Sequence, residues 1–250
     1  MITKTEAVVL KTIDHGDTSR IITLYSRDTG KLKLIAKGVR SPKSKAAGLF
    51  QPTRLLQVVY YEKQRSELQL FKTGDLLDGF FGLEEDFDRL TLAQVMVELL
   101  DRSTEDEESH EAIFHLITRD LLRLSQKTET PAVIYWHFHL HLLKELGYRP
   151  HIYHCSICQN DLNEGGSLGM NSSHLECVTC HQPTQDSILI DAETRDIMND
   201  ILDSPQEVEE SKLSAKQRRA LWNFLWRYTF YHIDSTRGMR SLKVLNQLYY

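Results

Sequence analysis

The chain has 250 residues, of which 41% are hydrophobic and 26% charged, with a net charge of −5. That is the make-up of an ordinary folded protein, long enough for two or three domains. No apolar run approaches the ~20 residues of a membrane-spanning helix, and the start MITKTEAVVLKTIDHG is not built like a signal peptide, so membrane and secreted classes are excluded and a cytoplasmic location is expected.

Residues 1–80 read as five strands, at Ala7–Ile13, Arg20–Ser26, Lys31–Lys37, Leu55–Glu62 and Glu67–Leu77. They are rich in Val, Ile, Leu and Tyr, and turn residues such as Gly16, Gly30 and Pro42 separate them. Five short strands in this length predict a small closed barrel of the OB-fold kind. From Leu83 the apolar period becomes helical, with helices expected at about 83–102, 108–126, 131–146, 191–203, 214–233 and 241–248. Glu84, Glu85 and Asp86 suit a helix N-terminus. Thr130 and Pro131 mark another helix start, and Gly147 a stop. Ser204–Ser211, with Pro205 and three glutamates, reads as a solvated loop. The fold class is therefore α+β: an OB-fold domain over 1–80, then a helical domain over 81–250.

Charge divides along the same line. Residues 1–82 carry a net +6 and residues 83–250 a net −11, which points to a polyanionic partner for the first part. The positive charge is concentrated in GKLKLIAKGVRSPKSK, residues 30–45, which holds Lys31, Lys33, Lys37, Arg40, Lys43, Lys45 and no acid. On a strand, Leu32, Leu34 and Ala36 point inward while the lysines point outward. Lysine is a flexible point charge suited to phosphates without base reading. Protection of a sheet edge explains one or two lysines, not this many.

The insert CSICQNDLNEGGSLGMNSSHLECVTC places Cys155 and Cys158 in one C-x2-C pair and Cys177 and Cys180 in another, 18 residues on. Two such knuckles are the sequence form of a four-thiolate zinc site, and with every cysteine used the ion is structural. Gly165, Gly166 and Gly169 are expected to supply a flexible connection between the knuckles. His154, His174 and His181 lie close enough in sequence to replace one ligand. His137 and His141 lack the glutamate of a metalloprotease motif and are read as ordinary buried or surface histidines. Trp222 and Trp226 are read as core, and Lys216, Arg218 and Arg219 as a second basic patch. No phosphate-binding loop, dinucleotide fingerprint or nucleophile elbow is present.

Three stretches together resemble the RecO family of bacterial recombination mediators: AVVLKTIDHGDTSRIITLYSRDTGKLKLIAKGVRSPKS near the start, LLKELGYRPHIYHC at the first knuckle, and MRSLKVLNQL near the end. The resemblance implies an OB-fold, a helical domain and an inserted four-cysteine zinc element, here at about 151–184. It implies a non-enzymatic protein, cytoplasmic and associated with the nucleoid, that binds single- and double-stranded DNA and anneals complementary strands. The implied partners are RecR, the acidic C-terminal tail of single-strand-binding protein and, indirectly, RecA. Of the six basic residues of 30–45, Lys31, Lys33, Lys37, Arg40 and Lys43 fall inside the first matched stretch and Lys45 directly follows it. Two other readings compete. A zinc enzyme needs an open metal position that four thiolates do not leave. A protein-only adaptor would use the basic loop to dock acidic peptides.

Overall fold

The computed structural model describes the chain except residues 45, 64, 65, 107, 129, 170–173, 182–184 and 250. Two compact units are present, Met1–Thr128 with Met239–Tyr250, and Glu129–Gly238.

The first unit begins with the barrel: β1 (Ile2–His15), β2 (Ser19–Ser26), β3 (Gly30–Ala36), β4 (Leu55–Tyr61) and β5 (Leu68–Asp78), closed in the order β1-β2-β3-β5-β4. All pairings are antiparallel except β3 with β5. This is the five-stranded OB-type barrel expected from the sequence. β1 starts five residues before the expected Ala7, because Ile2 to Val8 pair with β4, a non-local contact that local pattern does not reveal. A bulge between Val9 and Lys11 bends the strand so that its second half runs along β2. β3 alternates as its sequence demands, with Leu32, Leu34 and Ala36 buried and Lys31, Lys33 and Ile35 on the outer face. Phe50 plugs the interior, edge-on to Phe71 at 5.0 Å.

Helices α1 (Phe87–Ser103), α2 (Glu111–Ser125) and α6 (Arg240–Tyr249) complete this unit. Their ends are closed by groups from elsewhere in it. Asp86 caps α1 locally, accepting from Arg89 N at 3.0 Å. The buried Arg89 guanidinium donates to Ser125 O and Gln126 O, the orphan carbonyls ending α2. Glu98, on α1, accepts from Arg240 N and Ser241 N at 3.0 and 2.8 Å and so caps α6. Burial alone would raise its carboxyl, but the Ser241 hydroxyl, which donates to it at 2.6 Å, and these two N–H groups hold it below the usual carboxylate value.

The second unit holds α3 (Pro131–Glu145), the cysteine insert with strands β6 (Gly165–Leu168) and β7 (Ile188–Asp191), α4 (Ala192–Asp203) and α5 (Ala215–His232). Pro131 sits in the first turn of α3, as its fixed φ suits. Gly147 ends the helix at φ +82, with Gly147 N donating to Lys144 O and Tyr148 N to Leu143 O, the paired bonds of a Schellman stop. Residues 204–211 are not simply solvated. They form two single 3-10 turns, at Pro205–Glu207 and Glu210–Lys212, anchored by buried Pro205 and Val208.

Trp222 and Trp226 are core, as expected, with rings 5.8 Å apart. Between α3 and α5 lies a fully buried histidine, His139. Its Nε2 meets Thr229 Oγ1 at 2.7 Å and its Nδ1 meets the Tyr135 hydroxyl at 3.1 Å. The Thr229 hydroxyl gives its hydrogen to Leu225 O, so Nε2 is the donating nitrogen. Burial pushes the His139 pKa down to about 3. The unfolded chain then binds a proton near pH 6.5 that the folded chain refuses until far lower pH. Stability should fall on acidification by about 1.4 kcal/mol per pH unit below ~6.5. Urea titrations at several pH values should show a His139→Gln variant with a shallower dependence, by one proton. Equal slopes would refute this account.

Candidate nucleic-acid interface and metal centre

The basic residues of 30–45 are not equivalent. Lys31 and Lys33 project from β3 toward the segment after α1. Lys31 Nζ donates to Asp101 O at 2.9 Å and to Thr104 O, the carbonyls ending α1, and lies 3.8 Å from the Asp106 carboxylate. Its side chain is only 12% exposed, so it serves as a helix C-cap. Burial lowers its pKa, against the pull of Asp101 and Asp106. Lys33 is ion-paired to Asp106, and that bond raises its pKa. Lys11 joins the set from β1, 2.6 Å from Asp101.

Past β3 the picture changes. Gly38 takes φ +69 and opens a turn. Arg40 ties that turn to the β1–β2 hairpin, donating to Gly16 O at 3.1 Å and pairing with Asp14 at 3.3 Å, while Arg40 N donates to Thr18 O. Lys37 and Lys43 are exposed, and neither has an ion pair among the described residues. Lys45 lies outside the described residues. Two basic groups of β3 and Arg40 are thus engaged internally, whereas Lys37 and Lys43 face solvent.

Sequence reasoning missed the partners of β3. The acidic run from Glu105 to Glu108 is visible, but nothing local says that it lies along β3. A further basic group also escaped notice: Lys72, on β5, sits over the Tyr61 ring at 5.6 Å, a pairing set by the β4–β5 register.

The cysteine insert brings its four thiols together. The sulfurs of Cys155, Cys158, Cys177 and Cys180 all lie within 4.8 Å of one another, and Cys158 Sγ is 3.8 Å from Cys177 Sγ. A tetrahedral ion with bonds of ~2.3 Å holds its sulfurs about 3.8 Å apart, so the thiols fit one metal ion. The two knuckles are built alike. Gln159 N donates to Cys155 O and His181 N to Cys177 O, each at 3.0 Å. Burial pushes the Cys155 thiol up, but N–H donors from Cys158, Cys177 and Ile157 outweigh it and bring the pKa to about 6. The Cys180 N–H leads a similar lowering at Cys177. Cys180, against the thiols of Cys158 and Cys177, is pushed up to about 12. A cation held by the four sulfurs would take the place of their protons.

The glycines here do something other than expected. Gly165 and Gly166 are part of strand β6, paired with β7, and Gly165 adopts φ +93 where a Cβ would overlap Ile190 O. They permit close strand approach, and Ser167 pairs with Glu176 to lead the chain into the second knuckle. The neighbouring histidines have other partners: His154 pairs with Asp161 at 2.9 Å and His181 with Glu176 at 3.4 Å. His141 reaches Leu202 O at 3.0 Å. Of the second basic patch, Lys216 is paired with Asp191 at 3.0 Å. No described helix is long and apolar enough to cross a membrane.

A closed barrel with a basic loop is followed along the chain by helices and a four-thiol knuckle. Residues 1–80 match the family model described as Recombination protein O N terminal, and residues 84–242 the one described as Recombination protein O C terminal. Among relatives, DNA repair protein RecO of Pelodictyon phaeoclathratiforme is 27% identical, with 99% of each chain covered. The protein of that name from Chlorobium phaeobacteroides is 34% identical over 70% of this chain and 67% of its own, and that from Bacillus subtilis 31% over 64% and 62%. The chain belongs to the RecO family of DNA repair proteins.

Proposed function

We propose that the chain is a DNA-binding recombination mediator without catalytic chemistry of its own. The observation that carries this reading is the loop after β3, where Lys37 and Lys43 stand exposed beside Arg40 at one end of an OB-type barrel. Residues 1–80 form the DNA-binding domain in this reading. The lysines neutralise phosphates on single and double strands, lower the repulsion between two strands, and let base pairing proceed. Zinc is the ion held by Cys155, Cys158, Cys177 and Cys180, since four thiolates in tetrahedral array suit it and leave no open position. Its role is structural. The partners follow from family membership: RecR, the acidic tail of single-strand-binding protein and, through loading onto DNA, RecA. The protein acts in the cytoplasm, at the nucleoid.

The test is annealing. Two unrelated pairs of complementary oligonucleotides should anneal faster with the protein than without it, in the absence of nucleotide, and the gain should fade as salt rises. No acceleration at any salt would remove the mediator mechanism. One observation favours the adaptor as a second reading: Lys33 donates to the Asp106 carboxylate, so barrel lysines can bind an acidic peptide. An adaptor would bind an acidic tail peptide ending in Pro-Phe while leaving DNA unbound.

A further inference from the structure

The segment after α1 lies along β3. Asp106 forms a parallel bridge with Lys31, and its carboxylate takes the Lys33 ammonium. The Glu108 carbonyl passes so close to Gly30 that a Cβ there would overlap it. Three barrel lysines, Lys11, Lys31 and Lys33, therefore face carboxylates of their own chain.

They are not held alike. Lys31 is largely buried and closes α1 through two carbonyls, and Lys11 meets an Asp101 side chain only 6% exposed. Lys33 and Asp106, by contrast, are 34% and 36% exposed. Exposed ion pairs are weak and screened by salt. A carboxylate and a phosphate offer an ammonium the same kind of acceptor, a charged oxygen, and the phosphate of a polyanion arrives with neighbours that other lysines can bind.

We propose that Asp106 is an internal competitor for nucleic-acid phosphate, occupying Lys33 in the free protein and yielding it when a phosphate takes its place. This rests on the DNA-binding reading above and specifies how one of its lysines is regulated. Isolated anions gain little by displacing Asp106. A strand already held by Lys37 and Lys43 presents its next phosphates at high local concentration and does displace it. The device biases the barrel toward dense polyanions.

The experiment is a cycle of Asp106→Asn, Lys33→Gln and the double variant, with Asp106→Ser as a second neutral replacement. Binding of two unrelated 20-mer duplexes is followed by fluorescence anisotropy across salt, with circular dichroism confirming the fold. Removing the competitor should tighten Asp106→Asn by about two- to fivefold at 0.1 M salt and leave the log–log salt slope unchanged, because Lys33 meets phosphate in parent and variant alike. The double variant should bind like Lys33→Gln. Parental affinity in both folded Asp106 variants overturns the proposal. A gain that persists in the double variant also overturns it, because the effect is then a general loss of negative charge. If the parent binds no DNA, the proposed function falls. An Asp106→Asn variant that then binds still supports the competitor, and one that remains inert removes both.

Discussion

A Cys177→Ser/Cys180→Ser variant is expected to purify without metal and with the cysteine insert unfolded. Among the described residues, the two knuckles share few ties besides their four converging sulfurs. Their direct ties are a few bonds, such as Ser156 N to Leu175 O at 3.0 Å and Cys177 N to Cys155 Sγ at 3.3 Å. The apolar residues beneath them, Ile152, Leu162, Leu168, Leu175 and Ile190, make a small core. A structural four-thiolate zinc contributes on the order of 10 kcal/mol of binding energy to local folding, more than so few contacts supply. Metal analysis of the parent should give one zinc per chain. Hydrogen exchange should show protection lost across the knuckles and β6–β7 in the variant, while the α3 and α5 amides around His139 keep theirs. A variant that retains its zinc would show that the ligands are misassigned. A metal-free variant with unchanged protection would show that the ion is not structural.

The barrel and the thiol site were legible for the same reason: both are written in local pattern. Alternation in β3 identifies its buried face, and C-x2-C spacing lets one turn present two sulfurs to one ion. What stayed hidden is long-range. The start of β1 at Ile2 depends on pairing with β4. The role of Gly165 depends on Ile190 O, 25 residues away in sequence. The fate of Lys31 and Lys33 depends on an acidic run some 73 residues further along. A sequence shows that a lysine is present and outward-facing. It does not show which carboxylate of the same chain reaches it first, because that is decided by where a helix ends. In the helical part the caps illustrate the same limit. Asp86 is readable as a local cap, whereas the closing of α6 by Glu98 joins residues more than 140 apart.

That distinction among the lysines sets the largest expected effect on nucleic-acid binding. Six phosphate contacts from residues 31–45 would give a salt slope of about −5 on duplex DNA. With Lys31 capping α1 and Lys33 given up by Asp106 on binding, five basic groups remain, and the slope should be nearer to about −4.5. Lys37 and Lys43 carry the exposed share of it. A Lys37→Gln/Lys43→Gln variant loses two contacts, so affinity at 0.1 M salt should fall about sixtyfold and the slope should become shallower by about 1.8. The loss should be alike on unrelated sequences, because phosphates carry no base information. Both residues are exposed beside the Arg40 tie rather than part of it, so thermal stability should hold. Annealing should fall with binding. Lys31→Gln is the contrasting variant. Its ammonium bonds the carbonyls that end α1, and hydrogen bonds to charged groups are worth about 1.5–3 kcal/mol. Losing them should lower stability while leaving the salt slope of the folded protein unchanged. If Lys31→Gln instead flattens the slope and Lys37→Gln/Lys43→Gln does not, the phosphate-binding face is β3 itself, the strap along it opens fully on binding, and the loop is a bystander.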